Sequence, residues 1–333
     1  MLRLDFADPA RAAWSDDGAR PLRTSVWYPT TGSAMGKVLA VPADRPIFVG
    51  GPALLDVPIA EGRHPVLVLS HGTGGAAFQT MWLGRRLAAR GWIVAAVDHH
   101  GNTAAEDAYD PRGFLMPWER ARDLSVVIDR LVAHPEVGPR LDLDRIAIGG
   151  FSLGGYSALA AAGAQADRAR FDAFCASDAR DATCGAQTEF PEAVERFEAM
   201  LVADPALRGR LVEVHGDFTD ERVKAAVLLA PAVAQIFTEE SLRGLDLPVL
   251  VVAGDQDVIA PSVTNAEYIS SHVPDARLET IAGAGHYTFL NPCTAHGRRH
   301  VPLCAEPEVV RDDVHGEVAE RIAAFLAEVL LAE

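Results

Sequence analysis

No run of about 20 apolar residues, the length a membrane-spanning helix needs, occurs in this chain. The longest apolar stretches, Pro248 to Gly254 and Ile322 to Ala332, stop well short of it. Basic residues are in deficit: 30 Lys and Arg stand against 46 Asp and Glu, leaving a formal net charge of -16. Such a surface repels nucleic acid phosphates and anionic lipid headgroups alike, which excludes nucleic acid as an expected partner. Internal repeats, heptad arrays and low-complexity blocks are also missing, so solenoid, fibrous and disordered readings fall away. No export signal stands at the start as written, because Asp5 and Asp8 interrupt the segment where a signal peptide needs its apolar stretch. A cytoplasmic location is therefore expected. Cysteine is scarce, four residues in all. What remains is a chain of 333 residues, 49% hydrophobic and 23% charged, with enough apolar material for a sizeable core.

Strand-like and helix-like signals alternate along that chain. Thr24 to Pro29 is β-branched and aromatic, and a Gly- and Pro-rich loop follows through residue 62, which reads as an antiparallel edge region. Pro65 to Ser70 is a continuous apolar run, as expected of a strand covered on both faces. Helix-like Gln79 to Arg90, strand-like Trp92 to Asp98, helix-like Trp118 to His134 and strand-like Arg145 to Gly150 follow at short spacing. The later units are strands Lys224 to Ala230, Pro248 to Gly254 and Arg277 to Ala282, with helices near Ser262 to His272 and Val314 to Leu331. This alternation predicts a mostly parallel sheet with helices on both faces. Roughly sixty residues separate the helix after Gly150 from the strand at Lys224, far beyond the usual connection of about 2 to 6 residues. Residues 164–222 are therefore read as an inserted helical cap on a single domain spanning 1–333. Pro191 suits a first-turn position, and Val194, Phe197 and Leu201 recur at a helical period.

Between the apolar strand RIAIGG and the small-residue helix SLGGYSALAAAG lies Gly150-Phe151-Ser152-Leu153-Gly154, a match to G-x-S-x-G in a strand–turn–helix context. A serine exposed at such a turn needs glycines at 150 and 154, because side chains there would collide. Its position at a helix N-terminus also favours negative charge on a reacting oxygen. A serine hydroxyl attacks only when a base takes its proton, and that base needs a third group to hold its tautomer. Downstream, Gly254-Asp255-Gln256-Asp257 follows one predicted strand and Gly283-Ala284-Gly285-His286 the next. Ser152, Asp257 and His286 all fall at carboxyl ends of parallel strands, where open sheets place their sites. Asp257 is preferred as the acid over Asp255, which suits a turn directly after Gly254. Among 11 histidines only His286 follows a strand through a short Gly-rich loop, whereas His272 falls on a predicted helix. The loop Ser70-His71-Gly72-Thr73-Gly74-Gly75 offers the Thr73 N–H as a second oxyanion donor beside that of Leu153, with His71 bracing the loop.

The segments GFSLGG, LSHGTGG, AGDQDVIAP and GAGHYTFL together resemble a serine α/β-hydrolase. More narrowly, VWYP, AAVDHHGNT, WERARDLSVVIDRL and HYTFLNPC…PLCAEP are similar to bacterial hydrolases known as predicted dienelactone hydrolases, near the platelet-activating-factor acetylhydrolase and cutinase-like groups. The likeness runs from about Arg23 to Phe325. It implies the α/β-hydrolase fold and a Ser152–His286–Asp257 carboxylic-ester hydrolase that needs no cofactor. Dienelactone hydrolases proper use a cysteine nucleophile and haloalkane dehalogenases an aspartate, so Ser152 sets both chemistries aside.

Cys175 with Cys184, and Cys293 with Cys304, form two close pairs that suit local disulfides. Cys293, His296, His300 and Cys304 also read C-x2-H-x3-H-x3-C, a ligand set that zinc accepts, and free thiols are the third reading. The family resemblance, in which a cysteine pair follows the active-site histidine, favours the disulfide there. Disulfides suit a secreted or periplasmic protein that has lost its leader rather than a cytoplasmic one. The expected partner is a small-molecule ester with a short-to-medium acyl group, a lactone or a lipid ester, and the oligomeric state is left open. A thioesterase, an amidase or an acyltransferase would use the same triad, while a non-catalytic scaffold of this fold would bind a small molecule without activating Ser152. Phe171, Phe174, Phe190 and Phe197 of the cap either line an acyl pocket or pack a small core of their own. His99 and His100, after the strand ending at Asp98, are assigned a structural role.

Overall fold

A computed structural model describes residues 1–14, 18–32, 36–304 and 309–331. Ten strands are present among them: β1 (Leu2–Ala12), β2 (Ala19–Trp27), β3 (Lys37–Val41), β4 (Phe48–Ala53), β5 (His64–Ser70), β6 (Ile93–Val97), β7 (Leu141–Phe151), β8 (Val223–Leu229), β9 (Val249–Gly254) and β10 (Ala276–Ile281). Eight form one sheet in the order β1-β2-β6-β5-β7-β8-β9-β10, and β3 and β4 form a separate hairpin. From β6 to β10 the neighbours run parallel, while β1 and β2 are antiparallel additions at one edge. Every residue of β6 and β9 is buried, as a strand covered on both faces requires.

Two apolar cores result, one on each face of the sheet. The helices Trp118–Ala133, Leu153–Ala161 and Ala266–His272 close one face through residues such as Leu124, Ile128, Leu159 and Ile269. Met81–Ala88 and Arg311–Leu331 close the other through Trp82, Leu87, Val318 and Ile322. No helix among the described residues is long and apolar enough to cross a membrane.

The edge strand β1 and the hairpin β3–β4 are absent from the sequence-based outline. Leu2, Leu4 and Phe6 alternate with exposed Arg3 and Asp5, the period-2 signal of a half-buried strand, and this signal marks β1. The hairpin lies inside the segment read as loop because its strands carry Gly50, Gly51 and Pro52, residues that weaken strand propensity. Residues 164–222 contain the helices Arg168–Cys175, Ala193–Ala203 and Pro205–Gly209 with shorter turns between them. On Ala193–Ala203 the inward face includes Ala193, Phe197 and Leu201, so two of the three expected residues meet the core while Val194 is 51% exposed.

Candidate active site

The register of the sheet brings the site together. Ser70, the last residue of β5, pairs with Gly150 of β7, so the loop after β5 and the turn after β7 emerge side by side. Ser152 occupies that turn with φ 56° and ψ -120°, a backbone conformation that is costly for a residue with a Cβ. A Cβ at Gly150 would lie 2.2 Å from the Gly154 carbonyl, and one at Gly154 would lie 2.1 Å from the Ser70 carbonyl. Only glycine fits either place. The turn is held further by the Ser152 N–H, which donates to the Leu229 carbonyl at 2.9 Å.

Loops after β9 and β10 carry the other two groups to this serine. His286 Nε2 lies 2.9 Å from Ser152 Oγ, and His286 Nδ1 lies 2.7 Å from Asp257 Oδ2. The second carboxylate oxygen of Asp257 accepts the N–H groups of Ile259 at 2.9 Å and Ala260 at 2.8 Å. Asp255 is exposed and turned elsewhere, its Oδ1 accepting the Gly283 N–H at 2.7 Å. All three members of the Ser152–His286–Asp257 chain are buried. With Asp257 fixing the Nδ1 proton, Nε2 is left as the acceptor that can take a proton from Ser152. Leu153 stands first in the helix after Ser152, where the helix itself offers its N–H no partner. The Thr73 N–H likewise has no hydrogen-bond partner among the described residues. A cavity of about 310 Å³ opens onto Ser152 and His286, walled by Thr73, Leu290 and Leu303 and by the segment from Ala182 to Glu189.

None of the four phenylalanines of the inserted segment lines this cavity. Phe190 packs against Phe114 and Tyr109, Phe197 enters the main core, and Phe171 lies beside Phe174 with the rings tilted. Glu189 is the titratable side chain of the inserted segment that does line it. Burial pushes its carboxyl above the ordinary range, with His286 acting in the opposite sense. No periodic signal marks Glu189, because it belongs to an irregular turn.

Behind the serine lies a buried polar network. Arg120, 1% exposed, donates from Nη2 to the His71 carbonyl and to Ser70 Oγ, from Nη1 to Asn102 Oδ1 at 3.2 Å, and from Nε to Ser157 Oγ at 3.1 Å. Asn102 Oδ1 also accepts the Gly74 N–H at 2.7 Å, and Ser157 donates to the Leu153 carbonyl. One guanidinium thus ties the loop holding Thr73 to the helix holding Leu153. Burial pushes Arg120 down to about 9, against the upward pull of Asp123, and it stays charged at neutral pH. Burial acts upward on Asp123, but Arg20 and Arg11 hold its carboxyl well below the usual range. His99 bridges Ser70 Oγ and Asp123, and His71 accepts the His99 N–H while donating to the Gly72 carbonyl. His100 is engaged by Glu106 and the Trp14 N–H. In the sequence the trace of this network is a charged pair, Arg120 and Asp123, on the apolar face of a helix.

Burial pushes His99 and His315 down to about 3 and His71 well below its ordinary 6.5. Their folded values lie below the unfolded value, so the unfolded chain takes up protons first as pH falls. The stability they confer is intact above about pH 6.5 and is lost progressively toward pH 3. Thermal unfolding at pH 4.5 should therefore occur at lower temperature than at pH 7.5. Equal midpoints at the two values would contradict these histidines being held neutral.

Both cysteine pairs form disulfides, Cys175–Cys184 and Cys293–Cys304. The zinc and free-thiol readings are thereby overturned, since Cys293 and Cys304 have no thiolate to offer a metal. The His296 and His300 rings lie one helical turn apart, their centroids 4.6 Å apart and their planes tilted by 44°.

Residues 66–295 match the model of the alpha/beta hydrolase family. The chain belongs to this family. Among curated proteins it is 29% identical over 237 residues to cutinase est1 of Thermobifida alba, covering 71% of the chain and 56% of that protein. It is 30% identical over 115 residues to a bis(hydroxyethyl) terephthalate hydrolase of Streptomyces coelicolor, 34% of either chain. The α/β-hydrolase thus spans about half of the first relative and a third of the second. Among solved structures, a ferulic acid esterase from Streptomyces cinnamoneus superposes with a TM-score of 0.65 at 22% identity, covering 100% of this chain and 90% of that one, a likeness of fold.

Proposed function

We propose that this α/β-hydrolase cleaves carboxylic esters through an acyl-enzyme. The observation that carries the reading is the buried hydrogen-bonded chain from Ser152 through His286 to Asp257. Ser152 Oγ attacks the ester carbonyl as its proton passes to His286 Nε2, and Asp257 orients the imidazole and stabilises its charged form. The N–H groups of Leu153 and Thr73 receive the developing oxyanion. His286 returns the proton to the leaving alcohol, and water then repeats the sequence in reverse to release the acid. Every step uses groups of the chain and water. A cavity of about 310 Å³ suits short-to-medium acyl esters or lactones, and the segment 164–222 serves as the cap that shapes it. Its similarity to a cutinase and to a bis(hydroxyethyl) terephthalate hydrolase supports an ester substrate. The two disulfides support an oxidising compartment over the cytoplasm.

A fluorophosphonate probe should label the protein on the peptide containing Ser152 while p-nitrophenyl butyrate is turned over. Protein that is neither labelled nor active on short esters would sink the reading, because a scaffold need not activate its serine.

Arg120 enters this scheme as a positioning residue for both oxyanion donors. Arg120→Met is expected to lower kcat roughly 100-fold, the scale of losing one preorganised donor, with KM changed less than about threefold. Arg120→Lys should recover part of the loss. A purely structural role would instead lower the fraction of active sites titrated by the probe and leave kcat per titrated site at the wild-type value.

A further inference from the structure

We infer that a second cavity, separated from the first by the side chain of Gln79, receives the apolar arm of longer ester substrates. This rests on the ester-hydrolase reading above. The cavity, of about 520 Å³, lies at the carboxyl end of β6 and is walled by Val41, Ile47, Phe48, Phe78 and Ala104. Arg3, Arg23, Ser25 and Asp98 supply its polar lining, with Asp98 Oδ1 accepting the Ala77 N–H at 2.7 Å and the Thr103 hydroxyl at 3.3 Å and Arg23 donating to the Ala105 carbonyl at 3.1 Å. Gln79 lines both this cavity and the one at Ser152.

The partition is weakly fastened. The Gln79 amide makes no hydrogen bond among the described residues, and its Oε1 is buried without a partner. It packs over the loop that carries Thr73, where Gly75 leaves the room: a Cβ there would lie 2.1 Å from Gln79 Oε1. Rotating this side chain therefore breaks no hydrogen bond, and moving the amide oxygen toward water relieves a buried polar atom. An alkyl chain entering from the Ser152 side would replace it with apolar contacts against Phe78 and Phe48. The chemical class is an ester with an unbranched, uncharged arm longer than the first cavity holds.

The test is kcat/KM on p-nitrophenyl acetate, butyrate, octanoate and decanoate for wild type, Gln79→Ala and Ala104→Trp. Ala104 has an exposed side chain, so the larger residue can be carried without disturbing the core. In the wild type, selectivity should rise from acetate to octanoate, with an upper limit of roughly fourfold per buried methylene. Gln79→Ala should raise the octanoate-to-acetate ratio about fourfold, the worth of about one further buried methylene, and Ala104→Trp should lower it about tenfold or more. A ratio unmoved by both substitutions, or a wild-type selectivity falling steadily beyond butyrate and not restored by Gln79→Ala, overturns the inference and leaves the ester reading standing. Absence of acetate hydrolysis and of Ser152 labelling removes the ester reading, and this inference with it.

Discussion

Ser152→Ala is expected to lower kcat for p-nitrophenyl butyrate by on the order of 10⁶-fold with little change in KM, as when the nucleophile of a serine hydrolase is deleted. In the proposed mechanism the hydroxyl oxygen forms the acyl-enzyme, and the substitution leaves the cavity walls, the Thr73 loop and the Leu153 N–H in place. A second measurement on the same position separates chemistry from folding. At φ 56° and ψ -120° any residue with a Cβ is strained, a cost of about 1–3 kcal/mol, and alanine keeps that strain. Ser152→Gly relieves it. The glycine variant should be as inactive as the alanine variant yet melt at higher temperature than either the alanine variant or wild type. A residual kcat within tenfold of wild type in Ser152→Ala would show that another group is the nucleophile.

Asp257→Asn and Asp255→Asn each replace a carboxylate by an amide of nearly the same shape, and their expected outcomes are opposite. In Asp257→Asn the new side chain can turn an amide N–H toward His286 Nδ1, forcing the ring proton onto Nε2, where it blocks acceptance from Ser152; a loss of about 10⁴-fold in kcat is expected. The amide oxygen can still accept from Ile259 and Ala260, so the loop should stay folded. Asp255 is exposed and only accepts the Gly283 N–H, a role that an asparagine oxygen fills, so Asp255→Asn should stay within about threefold of wild type, a surface change of well under 1 kcal/mol. If Asp255→Asn abolished turnover and Asp257→Asn did not, the acid would be misassigned.

The parallel core was legible because burial on both faces leaves a compositional mark. PVLVLS, the run from Trp92 to Asp98 and PVLVVAG are unbroken apolar segments, and they coincide with β5, β6 and β9. The elbow was legible because sterics demand glycine at 150 and 154 whatever the substrate. Other features leave weaker marks. The hairpin β3–β4 carries Gly50, Gly51 and Pro52 in one strand, which read as loop, and long-range contacts hold it: pairing with the other strand, the Arg85 guanidinium donating to the Gly50 carbonyl and the Val49 N–H donating to the Pro292 carbonyl. Val194 satisfied a helical period yet faces outward, since a period marks a helix without saying which neighbour its face will meet. Arg120 and Asp123 look in sequence like ordinary helix charges, and the buried guanidinium that braces two loops exists only when Ser70, His71, Asn102 and Ser157 surround it.

Local sequence alone determined the order of the parallel strands and the helices between them, the glycine-flanked turn at Ser152 and the candidate acid and base after two later strands, because each depends on neighbours within a few residues. Tertiary structure alone decided that the preferred Asp257 rather than Asp255 meets His286, that the four cysteines are bonded to each other, and that the cavity wall is made by Ala182 to Glu189 instead of the phenylalanines of the inserted segment. The two disulfides close over only 9 and 11 residues, whereas the contacts of His286 span 29 residues to Asp257 and 134 to Ser152. Distance and angle between such groups are set by how the sheet twists and packs its two cores, and no pattern of spacing along the chain encodes them.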